Sequence, residues 1–272
     1  MTSATSTDPS PLPAETAPLL EGRGISKFFG HVTALRDVDF DVRRGEVHAI
    51  VGDNGAGKST LIKILSGAEQ PSAGELYLEQ ERVRFATPSA AMSSGIATVH
   101  QNLALVPTMT IAENMFLGRE LTRLGFLEKA QMAKSAQKMM TALKQMNITD
   151  IDVECLDLSG GQRQAVAIAR GVDRASRVLI LDEPTAALGV RESASVIALI
   201  SDLKLSGDTT IILVSHNMPE VLQVADRITV LRNGHKVGTV DAAAVGHNQL
   251  VSMITGLAWT ADATDVTDTG VG

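Results

Sequence analysis

Cysteine is almost absent from this sequence: Cys155 is the only one among 272 residues. A lone cysteine cannot form an internal disulfide, which fits a reducing compartment such as the cytosol. The acidic residues Glu154 and Asp157 stand close to it in the sequence. Since negative charge nearby raises the pKa of a thiol, we expect Cys155 to be unreactive.

Long hydrophobic runs are missing as well. The longest ones, such as 178–181 and 211–214, are far shorter than the roughly 18 apolar residues that span a bilayer. Residues 1–18 are rich in Ser, Thr, Pro and Ala and lack the basic and apolar regions of a secretory signal. We therefore predict a disordered tail at 1–18 and a chain that does not cross a membrane by itself.

The sequence also lacks an excess of basic residues, since 24 Lys and Arg stand against 31 Asp and Glu, for a formal net charge of −7. This balance argues against a broad nucleic-acid-binding surface, and we expect no nucleic-acid partner. A chain of 272 residues can bury a full core. We predict one domain over 19–258, followed by a polar tail at 259–272.

The spacing of hydrophobic residues predicts an α/β fold. Alternating apolar residues predict antiparallel strands within 19–51 and a hairpin within 74–85. After Leu158, helical and strand patterns alternate, which is typical of a mostly parallel sheet. Helical spacing over 128–147 predicts an amphipathic helix. This helix would belong to an inserted helical subdomain at about 102–173.

A glycine-rich loop follows the apolar run 48–51 and precedes a helical run at 61–65. Its pattern, Gly-x4-Gly-Lys-Ser, lets backbone N–H groups converge on phosphate oxygens. Lys58 would reach the β and γ phosphates of a nucleotide, Ser59 would ligate Mg²⁺, and the helix N-terminus would add positive charge. Taken alone, the loop would also fit a kinase or a GTPase. Its residues are Gly52, Asp53, Asn54, Gly55, Ala56, Gly57, Lys58, Ser59 and Thr60.

A second glycine-rich segment, Leu158-Ser159-Gly160-Gly161-Gln162, stands at the start of another predicted helix. A hydroxyl and two glycines at a helix N-terminus are suited to bind an anion. With this pentapeptide the chain resembles the ATP-binding cassette (ABC) ATPases, in which it is the signature motif and caps the γ-phosphate bound to a partner subunit. The resemblance implies the P-loop NTPase fold of ABC type, with an antiparallel β subdomain and an inserted helical subdomain, and an ATP-sandwich homodimer.

The strand 178–181 ends in two carboxylates, Asp182 and Glu183, and resembles the Walker B element of that family. Adjacent side chains near a strand end are expected to be aimed differently and can serve different roles. The resemblance implies that Asp182 supports Mg²⁺ and that Glu183 is the general base that polarises the attacking water.

Three further positions match the family's order of motifs. Gln101 resembles the Q-loop glutamine, which touches Mg²⁺ and the water and links the site to the transmembrane partner. His216 resembles the switch histidine that contacts the γ-phosphate. Phe29 matches the aromatic residue that stacks on adenine, although its neighbour Phe28 could serve instead.

One position departs from the family pattern. The loop after Walker B commonly ends in Asp, whereas this chain has Ala186-Ala187-Leu188-Gly189. Glycine removes a side-chain contact and adds backbone freedom. We expect hydrolysis to survive, because Glu183 and His216 remain, and cooperativity between the two sites to change.

The segments 45–60 and 98–101 resemble the ATPases of bacterial sugar importers of the ribose, xylose and fructose type, in a shorter branch with one cassette. This implies a peripheral subunit at the cytoplasmic face of the membrane, paired with a second copy beneath permease subunits that an extracytoplasmic sugar-binding protein serves. An export ATPase is the nearest alternative. A DNA-repair cassette would need a long coiled coil between Lys58 and Leu158, where only about 100 residues lie. A ribosome-associated cassette usually has a second cassette and a basic linker, and this sequence shows neither. A cassette that only binds ATP is disfavoured by Glu183 and His216.

Overall fold

The computed structural model describes residues 17–142, 148, 150–207 and 209–257. The predicted tail at 259–272 lies outside the described residues, as do all but the last two residues of the tail predicted at 1–18. The same holds for 143–147, the end of the helix predicted over 128–147.

The helices and strands follow one another in the mixed order expected of an α/β fold. The strands are β1 (Leu20–Phe29), β2 (Val32–Val42), β3 (Val47–Val51), β4 (Ala73–Leu78), β5 (Glu81–Val83), β6 (Ile96–Val99), β7 (Thr122–Arg123), β8 (Phe126–Leu127), β9 (Val178–Asp182), β10 (Thr210–Val214), β11 (Arg227–Arg232) and β12 (His235–Asp241). The α-helices are α1 (Lys58–Leu65), α2 (Pro88–Ser93), α3 (Ile111–Phe116), α4 (Lys129–Ala142), α5 (Gly160–Arg174), α6 (Val190–Ser206), α7 (Met218–Val224) and α8 (His247–Thr255).

The central sheet has six strands in the order β12-β11-β3-β10-β9-β6. All neighbours run parallel except β12, which pairs antiparallel with β11 through the Asn233-Gly234 turn. Strands β3 and β10 are buried along their whole length, as is usual for central parallel strands covered on both faces. On β9, Leu179 and Leu181 share a core with α5 and α6, whereas Val178 and Ile180 share a core with α1 and the other sheet. The sheet is therefore covered on both faces.

The second sheet is antiparallel, with the order β2-β1-β4-β5. It buries Leu20, Leu35 and Leu76 against the apolar side of α1. The predicted fold class is confirmed, because both the mostly parallel core and the antiparallel sheet are present.

A helical layer lies between β6 and β9 in the sequence. Helices α3, α4 and α5 pack together and bury Met115, Met132 and Met140 in the same core as Ile168. The short β7–β8 hairpin between α3 and α4 was not predicted. Among the described residues, no helix combines the length and the hydrophobicity that crossing a membrane requires.

Candidate nucleotide-binding site

Four groups of predicted site residues follow the carboxyl ends of parallel strands. The glycine-rich loop comes after β3, Gln101 after β6, the two carboxylates at the end of β9, and His216 after β10. Because these strand ends meet at one edge of the sheet, such a crevice is where α/β folds bind ligands. Together they line a cavity of about 540 Å³. Its walls are Phe29, Val32, Thr33, Ala34, Asn54, Gly55, Ala56, Gly57, Lys58, Ser59, Thr60, Gln101, Asp182, Glu183, Val214 and His216.

Two glycines of the loop are required by close backbone contacts. Gly57 has φ +104°, and a Cβ there would lie 2.7 Å from the carbonyl oxygen of Ala34. Gly52 has φ +154°, and a Cβ there would collide with the carbonyl oxygen of Leu231. Any larger residue would therefore displace the loop from β2 or from β11.

Helix α1 begins directly at this loop and presents an open N-terminus. Gly57 is its N-cap residue, so no side chain caps the helix, and its first turn contains no acidic residue. The first N–H groups of a helix have no partner within the helix, and the helix dipole adds partial positive charge at that end. The start of α1 is thus suited to a phosphate group.

Lys58 places a cation in the same wall although its residue is only 7% exposed. Its Nζ donates hydrogen bonds to the carbonyl oxygens of Gly52 at 2.6 Å and Asp53 at 3.0 Å. Burial lowers the pKa of Lys58, and the charges of Glu183, Asp53 and Asp182 oppose that shift. The ammonium is held close to the positions where phosphate oxygens would bind.

Glu183 and His216 contact each other at the end of the sheet. Glu183 has φ +54°, an uncommon conformation for a residue with a side chain, and its N–H donates to the carbonyl oxygen of Val214 at 2.9 Å. One carboxylate oxygen, Oε2, lies 2.5 Å from Nδ1 of His216. The carboxylate is therefore fixed by both its backbone and the imidazole.

Oxygen atoms suitable for Mg²⁺ come from Ser59, Gln101 and Asp182, which all line the cavity. Burial raises the pKa of Asp182, while the charges of His100 and Lys58 lower it. The described residues contain no cluster of three or more His, Cys, Asp or Glu that could hold a metal ion. Mg²⁺ usually binds through one or two carboxylates together with substrate phosphates. This set of residues fits that mode.

Phe29 lies in the wall of the cavity, whereas Phe28 does not. Both are 45% exposed, so exposure does not distinguish them. Lys27 Nζ lies 4.9 Å from the centre of the Phe29 ring, a cation–π distance, and covers one face of the ring. The geometry favours Phe29 as the residue that stacks on a base.

Two of the predicted residue sets lie elsewhere. Asp53 and Gly52 line a neighbouring concavity beside α7 and α8 rather than the main cavity. The signature residues are also outside its walls. They are Ser159, Gly160, Gly161 and Gln162, at the start of α5.

The signature residues hydrogen bond within their own chain. The Ser159 hydroxyl accepts from the backbone N–H of Gln162 at 3.3 Å, and the Gln162 side chain accepts from that of Ser159 at 3.0 Å. Glu192 of α6 adds a carboxylate that accepts from the N–H groups of Gly161 and Gly189, each at 3.3 Å. Those bonds lower the pKa of Glu192. An anionic group thus already occupies the start of α5.

The outer wall of the cavity was not predicted from the sequence and comes from β2 at Val32, Thr33 and Ala34. The turn between β11 and β12 holds that wall in place. Gly234 N–H donates to the carbonyl oxygen of Ala56 at 3.1 Å, and its own carbonyl accepts from the N–H of Arg36 at 2.8 Å. An Asn-Gly pair such as Asn233-Gly234 is typical of a hairpin turn, but no sequence signal predicts the contact of this turn with the loop.

The sequence of this chain matches a known protein family. Residues 35–186 match the model of the ABC transporter family. The chain is 46% identical over 246 residues to a fructose import ATP-binding protein of Rhizobium meliloti, which covers 88% of this chain and 94% of that protein. It is 45% identical over 234 residues to a ribose import ATP-binding protein of Chromobacterium violaceum, covering 86% of this chain. It spans about half, 46%, of that ribose protein.

A solved structure shares the fold. It is a dimeric, post-hydrolysis state of the ATP-binding cassette MJ0796 bound to ADP and phosphate, with a TM-score of 0.68 and 24% identity. That similarity covers 82% of this chain and 98% of the cassette. The chain belongs to the ABC transporter family and has the fold of its ATP-hydrolysing cassettes.

Proposed function

We propose that this chain is the ATP-hydrolysing subunit of a monosaccharide importer, and that its cavity binds ATP together with Mg²⁺. The observation that carries the proposal is the convergence of Lys58, Glu183 and His216 on one cavity beside the open start of α1. The adenine would stack on Phe29. The phosphates would lie along the loop formed by 52–60.

Glu183 is the group we assign as general base. Its carboxylate would take a proton from the water that attacks the γ-phosphorus, and His216 would hold both the carboxylate and a γ-phosphate oxygen. Lys58 would stabilise the negative charge on the β and γ phosphates. Ser59, Asp182 and Gln101 would hold Mg²⁺, which would neutralise phosphate charge when bound. The products are ADP and inorganic phosphate.

The signature residues would complete the site of a second copy. Ser159–Gln162 lie outside the cavity that holds Lys58, so one chain provides two separate anion-binding surfaces. In a two-fold symmetric dimer, each surface would meet the opposite one around an ATP molecule. ATP binding would then close the dimer, and hydrolysis followed by phosphate loss would open it. Permease subunits would follow these motions.

The substrate class is inferred from the import proteins that the chain resembles. We assign the transported solute to monosaccharides such as fructose or ribose. The chain would act at the cytoplasmic face of the membrane, as a peripheral subunit.

Replacing the base tests the catalytic assignment. Glu183→Gln keeps the size of the side chain but removes the basic carboxylate, so hydrolysis should fall about 10²- to 10⁴-fold. ATP affinity should be retained, and the MgATP-bound dimer should become stable enough to isolate by size-exclusion chromatography. Hydrolysis at the unaltered rate would refute the role of Glu183. Glu220→Gln is the matched control, because Glu220 of α7 lies outside the cavity and glutamine keeps an acceptor for the hydrogen bond from the Thr185 hydroxyl.

Measuring the direction of transport requires the complex of this chain with its permease subunits. The chain would be co-purified with its permease subunits, reconstituted in vesicles, and supplied with a sugar-binding protein loaded with fructose, ribose or xylose. We expect the loaded binding protein to stimulate ATP hydrolysis and sugar uptake. Stimulation without the binding protein, with solute leaving the cytoplasmic side, would instead identify an exporter.

A further inference from the structure

Arg170 connects the signature helix to the loop that follows Gln101. It lies on α5, eleven residues after Ser159, and is partly buried. Its Nη2 donates to the carbonyl oxygen of Leu103 at 2.6 Å, and its Nη1 donates to that of Ala104 at 3.0 Å. One planar guanidinium thus holds two consecutive carbonyls, a geometry that lysine cannot reproduce.

The held carbonyls are close to a proposed catalytic position. Leu103 and Ala104 stand two and three residues after Gln101, which lines the cavity. Ala104 has φ +49°, so the loop has an uncommon backbone conformation at a residue whose carbonyl accepts a hydrogen bond from Arg170. The loop conformation is therefore imposed by tertiary contacts rather than by local preference.

The farther part of the same loop is fixed by a different helix. Asn114 of α3 is fully buried, and its side chain accepts from the N–H of Val106 at 2.7 Å. It also donates to the carbonyl oxygens of Val106 at 3.0 Å and Met109 at 3.1 Å. Among these anchors, Arg170 is the one that joins the loop to the helix that begins with the signature residues.

We propose that Arg170 is a positioning residue that makes the Gln101 loop of one ATP site move together with the signature helix that serves the other site. This inference rests on the proposed function, because only a sandwich dimer gives α5 a nucleotide at its start. When a γ-phosphate engages the start of α5, the displacement of the helix is passed to the Gln101 loop through the two Arg170 hydrogen bonds. A cassette would thereby register its partner's nucleotide at its own site.

Arg174 provides a control on the same helix. Its Nη2 donates to the carbonyl oxygen of Leu117, at the end of α3, at 2.9 Å. Arg170 and Arg174 are both partly buried, and burial lowers the pKa of both guanidinium groups. Both also donate to backbone carbonyl oxygens. They differ in that Arg174 does not contact the Gln101 loop among the hydrogen bonds of the described residues.

The test is a double-mutant cycle on the ATPase activity of the full chain. Arg170→Met keeps the apolar stem and removes the two bonds, so kcat should fall about threefold to tenfold with little change in the KM for ATP. In a Gln101→Ala background the same substitution should lower kcat less than about twofold, because the residue that Arg170 positions is already gone. Arg170→Lys should recover only part of the loss. Arg174→Met should change kcat less than about twofold in both backgrounds.

The outcomes separate this inference from the proposed function. Suppose that Gln101→Ala lowers kcat and that Arg170→Met then lowers kcat by the same factor in the Gln101→Ala background as in the unaltered chain. The positioning role is then wrong, while the ATPase assignment stands. If Glu183→Gln leaves hydrolysis unchanged, the proposed function fails first. Thermal unfolding of each variant is measured in parallel. Should Arg170→Met not fold, the same cycle is run with Arg170→Lys, and additive losses there overturn the proposal.

Discussion

The two helix N-termini that the proposed mechanism uses are prepared in opposite ways. Helix α1 begins at Gly57 with no side-chain cap and no acidic residue in its first turn. Helix α5 begins at Ser159 with a complete capping box, and the Glu192 carboxylate accepts a hydrogen bond from the Gly161 N–H. One anion-binding surface is open in the isolated chain, and the other is filled by its own side chains. ATP would therefore bind first to the α1 surface, and dimer closure would have to displace Glu192 from the α5 surface.

The largest effect on ATP binding should come from removing the cation at the open surface. Lys58→Met deletes charge-assisted hydrogen bonds to the phosphates, each of which contributes about 1.5–3 kcal/mol. ATP binding should weaken about 10- to 100-fold, as measured by titration calorimetry. Lys63→Met is the control, since this exposed lysine of α1 does not line the cavity. Equal ATP affinity in the Lys58 and Lys63 variants would contradict the assignment.

Removing the negative charge of Glu192 from the α5 surface should have a smaller effect. It should strengthen ATP-dependent dimerisation, whereas Lys58→Met weakens ATP binding. Glu192→Gln keeps a hydrogen-bond acceptor and removes the negative charge that would compete with a γ-phosphate. In the Glu183→Gln background, the dimerisation constant at saturating MgATP should tighten about twofold to fivefold, as measured by analytical ultracentrifugation. Weaker dimerisation would mean that Glu192 supports the α5 surface instead of blocking it. Glu220→Gln in the same background is the matched control.

The smallest effect concerns the loop between these surfaces. Gly189→Asp restores the carboxylate that the family pattern has there, and the backbone accepts it because φ is −71°. A Cβ at Gly189 would meet only Glu192 Oε2, at 3.9 Å. We expect the Hill coefficient for ATP hydrolysis to change more than the ATP affinity of a single site. Identical activity curves for Gly189→Asp and the uncharged control Gly189→Asn would sink this idea.

The sequence was sufficient for the positions whose place depends on strand ends. The loop 52–60, Gln101, Glu183 and His216 each follow a buried parallel strand, and chain order together with parallel pairing brings them to one edge. Their catalytic and binding roles stay predictions. The start of α3 was also predictable, because Thr110 and Glu113 form a capping box with the expected spacing.

The contacts that were not predictable join elements far apart in the sequence. The Glu192 bond to Gly161 and the Arg170 bonds to Leu103 and Ala104 depend on how α5 packs on α6 and on the loop after β6. Hydrophobic periodicity indicates which face of a helix is buried, but not which side chains of another element that face will contact. Cys155 shows the same limit on a smaller scale. Its pKa is raised, as the sequence suggested, but the cause is burial rather than its acidic neighbours.

The measurement that most directly tests the two-surface account is complementation between two inactive variants. Lys58→Met removes the α1 surface from both sites of a homodimer, and Ser159→Arg blocks the exposed α5 surface in both sites. A mixed dimer keeps one site in which both surfaces are intact. The account predicts that each variant alone is nearly inactive and that mixing them restores measurable ATP hydrolysis. A mixture no more active than its components would show that each chain builds its ATP site without the other.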